Sequence, residues 1–148
     1  MNNEKYFSIF EEIKKKGGTL DGGKPNDKVL LIDGLNTFIR VFSVIPTTND
    51  DGIHIGGIVG FLKSVGYAIK MLAPTRTLIV FDGRGGSNRR RKIYPEYKAN
   101  RDAPPEDLIK QFPYFEPLVA AYNIASVRVP GFEADDIIGT LALKGAKA

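Results

Sequence analysis

Two short apolar runs, each ending in Asp-Gly, constrain the fold of this chain more than any other feature. They are Val29–Asp33 and Thr77–Asp82, and a glycine follows each of them. Continuous apolar runs of this length are typical of strands buried on both faces, as in parallel sheets. Because ligands bind at the carboxyl ends of such strands, we expect Asp33 and Asp82 to lie side by side at one edge. A single run of this kind would indicate only a turn at its Asp-Gly.

Helical patterns alternate with these strands and predict an α/β domain with a mainly parallel sheet. The predicted helices cover residues 35–40, 55–72, 104–122 and 133 onward, and a third strand covers 126–129. We expect Pro113 and Pro117 to interrupt the third of these helices, and the glycines of residues 56–60 to permit close helix packing. The domain is predicted to span residues 28–148, after an N-terminal helix and linker at residues 1–27.

The composition excludes several classes of catalytic site. The 148 residues include no cysteine, so disulfides, cysteine-ligated zinc and thiol nucleophiles are excluded. The one histidine, His54, lies among glycine and isoleucine and is expected to be a loop or core residue and not a general base. The net charge of +4 and the pI near 9.3 favour an anionic partner. With no apolar run of about 20 residues and no signal-peptide pattern, we expect a cytoplasmic protein that does not enter a membrane.

A third group of acids follows the third predicted strand. Glu133, Asp135 and Asp136 lie within four residues at the start of the last helix. Acids at a helix N-terminus stabilise the helix by about 0.3–1 kcal/mol each, which would explain one or two of them. On a helix, Glu133 and Asp136 are neighbours, whereas Asp135 points elsewhere unless the first turn is irregular. With Asp33 and Asp82, five carboxylates would meet at one edge, an all-oxygen set suited to Mg²⁺ or Mn²⁺ and to phosphodiester hydrolysis.

A basic segment, residues 84–104, lies between the second and third acidic positions. Seven of the eighteen residues from Arg84 to Arg101 are basic and one is acidic. Basic residues interleaved with tyrosines suit a groove that follows a nucleic-acid backbone while bases stack on the rings. A solvated basic face or a flexible loop would also explain such a run. The residues of this segment that we expect to bind nucleic acid are Arg84, Arg89, Arg90, Arg91, Lys92, Tyr94, Tyr97, Lys98 and Arg101.

In four motifs the chain resembles the 5′ nuclease, or flap endonuclease, superfamily. They are Leu-Leu-Ile-Asp-Gly-Leu-Asn at 30–36, Ile-Val-Phe-Asp-Gly at 79–83, a stretch at 89–101 that contains Tyr-Pro-Glu-Tyr-Lys-Ala-Asn-Arg, and a stretch at 129–142 that contains Glu-Ala-Asp-Asp-Ile-Ile. The last two motifs are highly specific. The resemblance is nearest to the 5′ nuclease domain of bacterial DNA polymerase I and to exonucleases of T-even-like phages. It implies a three-layer, PIN-like α/β domain with a mainly parallel sheet.

The resemblance also implies roles for individual residues. The acids that match the family's metal ligands are Asp33, Asp82, Glu133, Asp135 and Asp136. The complete family site holds two divalent ions, Mg²⁺ or Mn²⁺. Lys98 and Arg101 match basic residues of a helical arch that contact the scissile phosphate, and Asp82 joins them as a catalytic residue. Arg40 matches a basic, nucleic-acid-binding residue in the helix after the first strand.

Family members continue beyond the point at which this chain stops. They carry a further strand with two more acids for a second metal position, and then a helix-hairpin-helix region that grips duplex DNA. The chain ends at Ala148, before both. We therefore expect a fragment, a split product whose C-terminal portion is encoded separately, or a remnant with weakened activity.

The leading hypothesis is a divalent-metal-dependent 5′→3′ exonuclease or flap endonuclease of a bacterial or phage-infected cell. It would act in replication or repair on DNA with a 5′ end or flap, or on the RNA of RNA–DNA hybrids. The alternative is a truncated, non-catalytic nucleic-acid-binding module or the partner of a split enzyme. A PIN-domain ribonuclease of the toxin type would share the acidic edge but has no reason to carry the basic segment.

Overall fold

The computed structural model describes residues 27–146, so the predicted N-terminal helix and nearly all of the linker at residues 1–27 lie outside the described residues. The strands are β1 (Val29–Asp33), β2 (Arg76–Phe81) and β3 (Ala125–Arg128). The helices are α1 (Gly34–Phe42), α2 (Gly56–Leu72), α3 (Asn88–Ile93), α4 (Glu106–Ala121) and α5 (Ala134–Gly145). The strands and the long helices predicted for this range are present close to their predicted bounds. None of the helices in the described range is long and apolar enough to cross a membrane.

The three strands form one parallel sheet in the order β1-β2-β3. Asp33 pairs with Val80 and Phe81 pairs with Arg128, so the three strands end at the same edge. Asp82 follows Phe81 directly, one position beyond the end of β2. The sheet register therefore confirms that Asp33 and Asp82 lie on adjacent strands at one edge.

Helices cover both faces of the sheet, which confirms the predicted three-layer α/β arrangement. Because the strands follow one another in a single direction, right-handed crossovers place the connecting helices α1, α2 and α4 on the same face. The large core beneath them is built around Phe38, Phe61, Ile79, Phe81 and Phe115. The opposite face carries α5 over a small cluster of Val80, Ala134 and Ile137. Side chains alternate along β2, so Ile79 and Phe81 enter the large core and Val80 the small one.

Glycines let α2 approach the chain that precedes it. A Cβ atom on Gly56 would lie 1.8 Å from the Ile45 carbonyl oxygen. A Cβ on Gly60 would lie 2.7 Å from the Cβ of Val41 in α1. Real Cβ atoms do not come this close to other heavy atoms, so these glycines serve close packing, as the sequence predicts.

The prediction that Pro113 and Pro117 interrupt the third long helix is wrong, because α4 is continuous through both. The two prolines are four residues apart and exposed, whereas Leu108, Phe115 and Val119 are buried. Prolines on the solvent side bend a helix around the core and not away from it. The burial of three large side chains therefore outweighs the two backbone hydrogen bonds that the prolines cannot make.

His54 is part of the packing of the loop between α1 and α2, as predicted. Its ring centre lies 4.5 Å from that of Phe42, and its Nδ1 lies 3.3 Å from Nε2 of Gln111 in α4. Thr48 pairs with His54 in an isolated antiparallel bridge. These contacts are to the loop itself and to helices that pack in the large core.

Candidate metal and nucleic-acid site

Asp33 and Asp82 stand at the carboxyl edge of the sheet, and each is tied to the N-terminus of a helix. Asp33 is the N-cap of α1, and its Oδ1 accepts a hydrogen bond from the Asn36 amide at 2.9 Å. Asp82 Oδ1 accepts a hydrogen bond from the amide of Ala134, the first residue of α5, at 2.8 Å. Side-chain oxygens of such residues satisfy backbone donors that the first turn of a helix leaves free, so these bonds fix the positions of both carboxylates at the edge.

Glu133 and Asp136 face the basic segment. Glu133 is only 4% exposed and accepts hydrogen bonds from Arg90 and Lys98, and from the Tyr97 hydroxyl at 3.1 Å. Asp136 accepts hydrogen bonds from Arg90 Nη1 at 2.9 Å and Nη2 at 2.6 Å. Its Oδ2 also accepts one from the Glu133 amide at 3.1 Å. Glu133 and Asp136 therefore converge, as helical spacing predicts, and they converge on Arg90.

Asp135 belongs electrostatically with the acids at the strand ends. It is exposed, and within residues 27–146 its side chain has no hydrogen bond or ion pair. Its charge acts on Asp33, as does that of Asp82. The five predicted acids thus reach the same edge but form two groups. One is Asp33, Asp82 and Asp135, and the other is Glu133 and Asp136.

The pKa of Asp33 is raised above its ordinary value. Burial is the largest cause, and the negative charges of Asp82 and Asp135 add to it. The hydrogen bond from Asn36 and the positive charge of Lys98 act in the opposite direction and do not cancel the effect. The first group is therefore a set of like charges that a cation placed among them would stabilise.

The pKa values of Glu133 and Asp136 are lowered. Burial raises the pKa of Glu133, but hydrogen bonds from Lys98, Tyr97 and Arg90 outweigh this effect. For Asp136 the hydrogen bonds from Arg90 are the largest cause, and they outweigh burial. The pKa of Arg90 is raised in return, chiefly by its hydrogen bonds to Asp136. The second group is therefore already neutralised by cations of the chain itself.

The donor chemistry of the first group fits a hard divalent cation. Carboxylate oxygens are the ligands that Mg²⁺ and Mn²⁺ prefer, and burial, together with the charges of Asp82 and Asp135, raises the pKa of Asp33. In the part of the chain that the structure describes, no three acidic or histidine side chains are close enough together to form a complete ion site. Binding an ion would therefore require the carboxylates to draw closer around it.

The basic segment leaves β2 through a loop that packs on the loop before α5. The Gly83 amide donates to the Phe132 carbonyl at 2.9 Å, and the Gly131 amide donates to the Arg84 carbonyl at 3.0 Å. A Cβ on Gly83 would lie 1.8 Å from the Val129 carbonyl oxygen. Only glycine permits this approach, which brings α3 next to α5.

Tyr97 and Lys98 complete the contact between the basic segment and the acids. Lys98 has a φ of +61°, a left-handed conformation that is uncommon for a residue other than glycine. The Tyr97 ring centre lies 5.8 Å from the Arg90 guanidinium carbon and 5.2 Å from Lys98 Nζ. The ring that the sequence predicts as a base-stacking surface thus contacts two cations of its own segment.

The other residues predicted to bind nucleic acid lie at the surface. Of these predicted residues, the basic ones that are exposed and form no ion pair within residues 27–146 are Arg40, Arg84, Arg89, Arg91, Lys92 and Arg101. The Tyr94 hydroxyl donates to Glu96 at 3.0 Å, and the Tyr94 side chain is half exposed. The structure leaves these side chains accessible to a polyanion, and their contact with nucleic acid stays a prediction.

Sequence reasoning missed Arg128, the last residue of β3. It forms an ion pair with Glu116 of α4, and its guanidinium carbon lies 5.6 Å from the Phe81 ring centre. Arg128, Glu116 and Asp82 line part of a cavity of about 590 Å³ beside the acidic edge. The available signal was a charged residue at the carboxyl end of a strand, the same signal that identified Asp33.

The chain is similar in sequence to a family of nuclease domains and to several bacterial proteins. Residues 28–148 match the family described as "5'-3' exonuclease, N-terminal resolvase-like domain". The chain is 38% identical over 122 residues to a 5′-3′ exonuclease of Bacillus subtilis (strain 168), a match that covers 79% of this chain and 41% of that protein. It is 38% identical over 118 residues to DNA polymerase I of Bacillus caldotenax, covering 79% of this chain and 13% of the polymerase.

A further relative is the thermostable DNA polymerase I of Thermus thermophilus. It is 35% identical over 125 residues, which cover 84% of this chain and 15% of the polymerase. The chain thus spans less than half of the length of these curated relatives. The residues matched by the family include all three strands, the five acids and the basic segment.

Proposed function

Since the chain belongs to the family of 5′-3′ exonuclease N-terminal resolvase-like domains, we propose that it hydrolyses phosphodiester bonds at the 5′ ends or flaps of DNA with the help of a divalent metal. The alternative substrate within this proposal is the RNA strand of an RNA–DNA hybrid. The observation that carries the proposal is that the charges of Asp82 and Asp135 act on Asp33 at the same sheet edge where Arg90 and Lys98 of the basic segment contact Glu133. Such an edge offers negative carboxylates to a metal ion and positive side chains to a polyanion.

Asp33, Asp82 and Asp135 are the acids that would hold the metal. The two other predicted ligands, Glu133 and Asp136, are paired with cations of the basic segment. When bound, Mg²⁺ or Mn²⁺ supplies polarisation of a phosphoryl oxygen and a lowered pKa for a water molecule. The resemblance to the family implies two such ions in the complete site.

The basic segment would bind the phosphates. Lys98 lies against Glu133 at the edge, so its ammonium group is within the acidic site and can neutralise charge that develops on the scissile phosphate. Arg101, three residues later and exposed, would do the same from outside. The run Arg89–Lys92, with Arg40 on α1, would attract and orient the approaching 5′ strand by its positive charge.

The test is cleavage of a 5′-labelled flap substrate by the 148-residue chain with Mg²⁺ or Mn²⁺, and with EDTA. We expect metal-dependent cleavage, and we expect Asp82→Asn and Asp135→Asn to lower its rate by at least about a hundredfold, because each removes a charged metal ligand. Asp51→Asn is the matched control, since Asp51 is an exposed acid of the loop between α1 and α2. Cleavage in EDTA, or full activity of Asp82→Asn, would exclude the proposed site.

A second candidate function is a nucleic-acid-binding module without independent catalysis. Two observations favour it. No complete ion site is formed within residues 27–146, and two of the five acids are occupied by Arg90 and Lys98. On this reading the chain binds a 5′ strand with strong salt dependence but does not cleave it alone.

Complementation distinguishes the two candidates. The chain matches 41% of the Bacillus subtilis exonuclease, so the remaining part of that protein can be supplied as a separate polypeptide. Cleavage that arises only in the mixture would identify a split enzyme and a protein partner. Strand binding without cleavage, alone and in the mixture, would identify a binding module.

A further inference from the structure

Asp136 differs from the other acids of the edge in how fully its oxygens are used. It accepts two hydrogen bonds from the Arg90 guanidinium, at 2.9 and 2.6 Å, and one from the Glu133 amide at 3.1 Å. A carboxylate offers about four acceptor positions, so little capacity is left for a metal ion. The preceding residue, Asp135, is exposed and has no hydrogen bond or ion pair within residues 27–146.

The position of α3 depends on this contact. No residue of α3 is buried, and Ile93 is 81% exposed, so apolar packing does not fix the helix. A cavity of about 250 Å³, lined by Arg89, Arg90, Ile93 and Asp136, lies where α3 faces α5. The Arg90 side chain reaches Asp136 across this loosely packed contact. A bidentate arginine–carboxylate pair combines strength with a fixed orientation, which an isolated lysine would not supply.

Arg90 also connects α3 to the phosphate-binding end of the segment. The same guanidinium that binds Asp136 donates to Glu133, which Lys98 and Tyr97 reach from further along the chain. Its carbon lies 5.8 Å from the Tyr97 ring centre. Loss of the Arg90 contacts would therefore free α3 from α5. Tyr97 and Lys98 would then bind Glu133 without the third donor that Arg90 supplies.

We propose that Asp136 and Arg90 are positioning residues that together anchor the basic segment over the acidic edge, and that Asp136 is not a metal ligand. The inference rests on the proposed function for the identity of the ligands, a divalent ion and a nucleic-acid strand. It divides the Glu-Ala-Asp-Asp motif between two tasks. Asp135 serves the ion, and Asp136 serves the protein segment that receives the strand.

Metal binding separates the two aspartates. Titration calorimetry with Mn²⁺ on the 148-residue chain should show an affinity at least about tenfold lower for Asp135→Asn, which loses a charged oxygen ligand, and changed by less than about threefold for Asp136→Asn, whose oxygens are held by Arg90 and the Glu133 amide. Asp136→Asn keeps a side-chain oxygen that can accept a hydrogen bond from the Glu133 amide, so the first turn of α5 keeps this bond. An Mn²⁺ affinity that falls equally in both variants would overturn the proposal.

Segment order is measured without metal. In EDTA, we expect Arg90→Gln and Asp136→Asn each to accelerate chymotryptic cleavage after Tyr97 by about fivefold or more, and to weaken binding of a 5′-labelled single strand. Because the two residues act through one contact, the double variant should be no worse than the more severe single variant. Arg91→Gln removes the same charge from α3 but no ion pair of the described residues, so the rate of chymotryptic cleavage after Tyr97 should stay unchanged. Arg90→Lys, which keeps the charge but not the fork, should fall between wild type and Arg90→Gln.

The two sets of measurements keep the outcomes apart. If the wild-type chain binds no Mn²⁺, the metal part of the proposed function fails, and proteolysis and strand binding still decide the anchor. Additive effects of Arg90→Gln and Asp136→Asn on chymotryptic cleavage, or unchanged chymotryptic cleavage in both variants, would overturn the proposed anchoring role even if metal binding is found. Circular dichroism of each variant checks that α5 and the remaining helices are retained.

Discussion

Adjacent side chains at the start of α5 have opposite electrostatic surroundings. The charge of Asp135 acts on Asp33, and burial and like charges raise the pKa of Asp33. In contrast, Asp136 is paired with the Arg90 guanidinium, which lowers the pKa of Asp136. The 100° turn between successive residues of a helix separates the two carboxylates. The role of an aspartate at this edge is therefore not defined by residue type alone. It is defined by the groups that contact its carboxylate oxygens.

Substitution of Gly56 tests how closely α2 packs against the chain that precedes it. We expect Gly56→Ala to lower the free energy of unfolding by about 1–3 kcal/mol, because its Cβ would lie 1.8 Å from a backbone oxygen of Ile45. Gly139→Ala is the control, since Gly139 is inside α5 with nothing within 4 Å of an added Cβ. That variant should gain roughly 0.5–1 kcal/mol from helix propensity. Chemical denaturation measures both, and a neutral Gly56→Ala would contradict the packing.

The sequence could predict the placement of the acids but not their partners. Asp33 and Asp82 follow apolar runs, and helical spacing brings Glu133 and Asp136 together, so local pattern suffices for each. The pairing of Arg90 with Asp136 spans 46 positions and depends on how α3 meets α5. No periodicity encodes that contact. For the same reason the pattern of the basic segment indicated nucleic-acid binding but not that three of its residues contact the acids.

Among the secondary-structure elements, α3 is held by charge and not by apolar burial. The lowered pKa values of Glu133 and Asp136 mean that their ion pairs stabilise the fold above the ordinary carboxylate pKa of about 4. That stabilisation is lost as the pH falls through the lowered values. We therefore expect Arg90→Gln to lower the melting temperature at pH 7 and to have a progressively smaller effect toward pH 3. A difference that is constant over this range, measured by thermal denaturation, would contradict the assignment.

The helix α4 tolerates prolines at a cost that substitution should reveal. Pro113→Ala and Pro117→Ala each restore a backbone donor within α4, so we expect each to raise the free energy of unfolding by about 1 kcal/mol or more. Pro105→Ala is the control, because Pro105 precedes the helix as its N-cap, where a missing donor costs little. Denaturant titration of the three variants provides the comparison. Destabilisation by either substitution in α4 would mean that the proline ring itself is needed for packing.

The prolines also show where local rules fail at this scale. Proline in a helix interior predicts a break, and the prediction used no information about which side of the helix faces solvent. That side is set by Leu108, Phe115 and Val119, whose burial depends on β2 and on α2 as well as on α4. Tertiary packing therefore decides whether α4 continues. Strands β1 and β2 of the parallel sheet were predictable because continuous apolar runs mark them.

Across the whole molecule, positive charge is concentrated on the basic segment. Residues 84–101 carry seven basic side chains and one acidic side chain, a net charge of +6, whereas the full chain carries +4. Binding of a single strand should therefore weaken with salt, and Arg91→Gln should reduce the slope of log affinity against log salt by about 0.7. Lys70→Gln removes the same charge from the exposed side of α2 and is the control. Equal changes of slope, measured by fluorescence anisotropy, would show that net charge and not the segment governs binding.

The unequal covering of the two sheet faces affects how the molecule fluctuates. Within residues 27–146, three helices lie over the large core, whereas the other face carries α5, which itself contributes two of the three buried residues of the small cluster. A layer with so few buried contacts opens locally more often than the molecule unfolds as a whole. In deuterium exchange, the amides of α5 should therefore lose protection before those of β2 and α2. Asp135 would then move with the less stable α5, while Asp33 and Asp82 stay at the ends of the more stable strands β1 and β2. A ligand bound between Asp135 and the two other aspartates should therefore slow deuterium exchange most in α5.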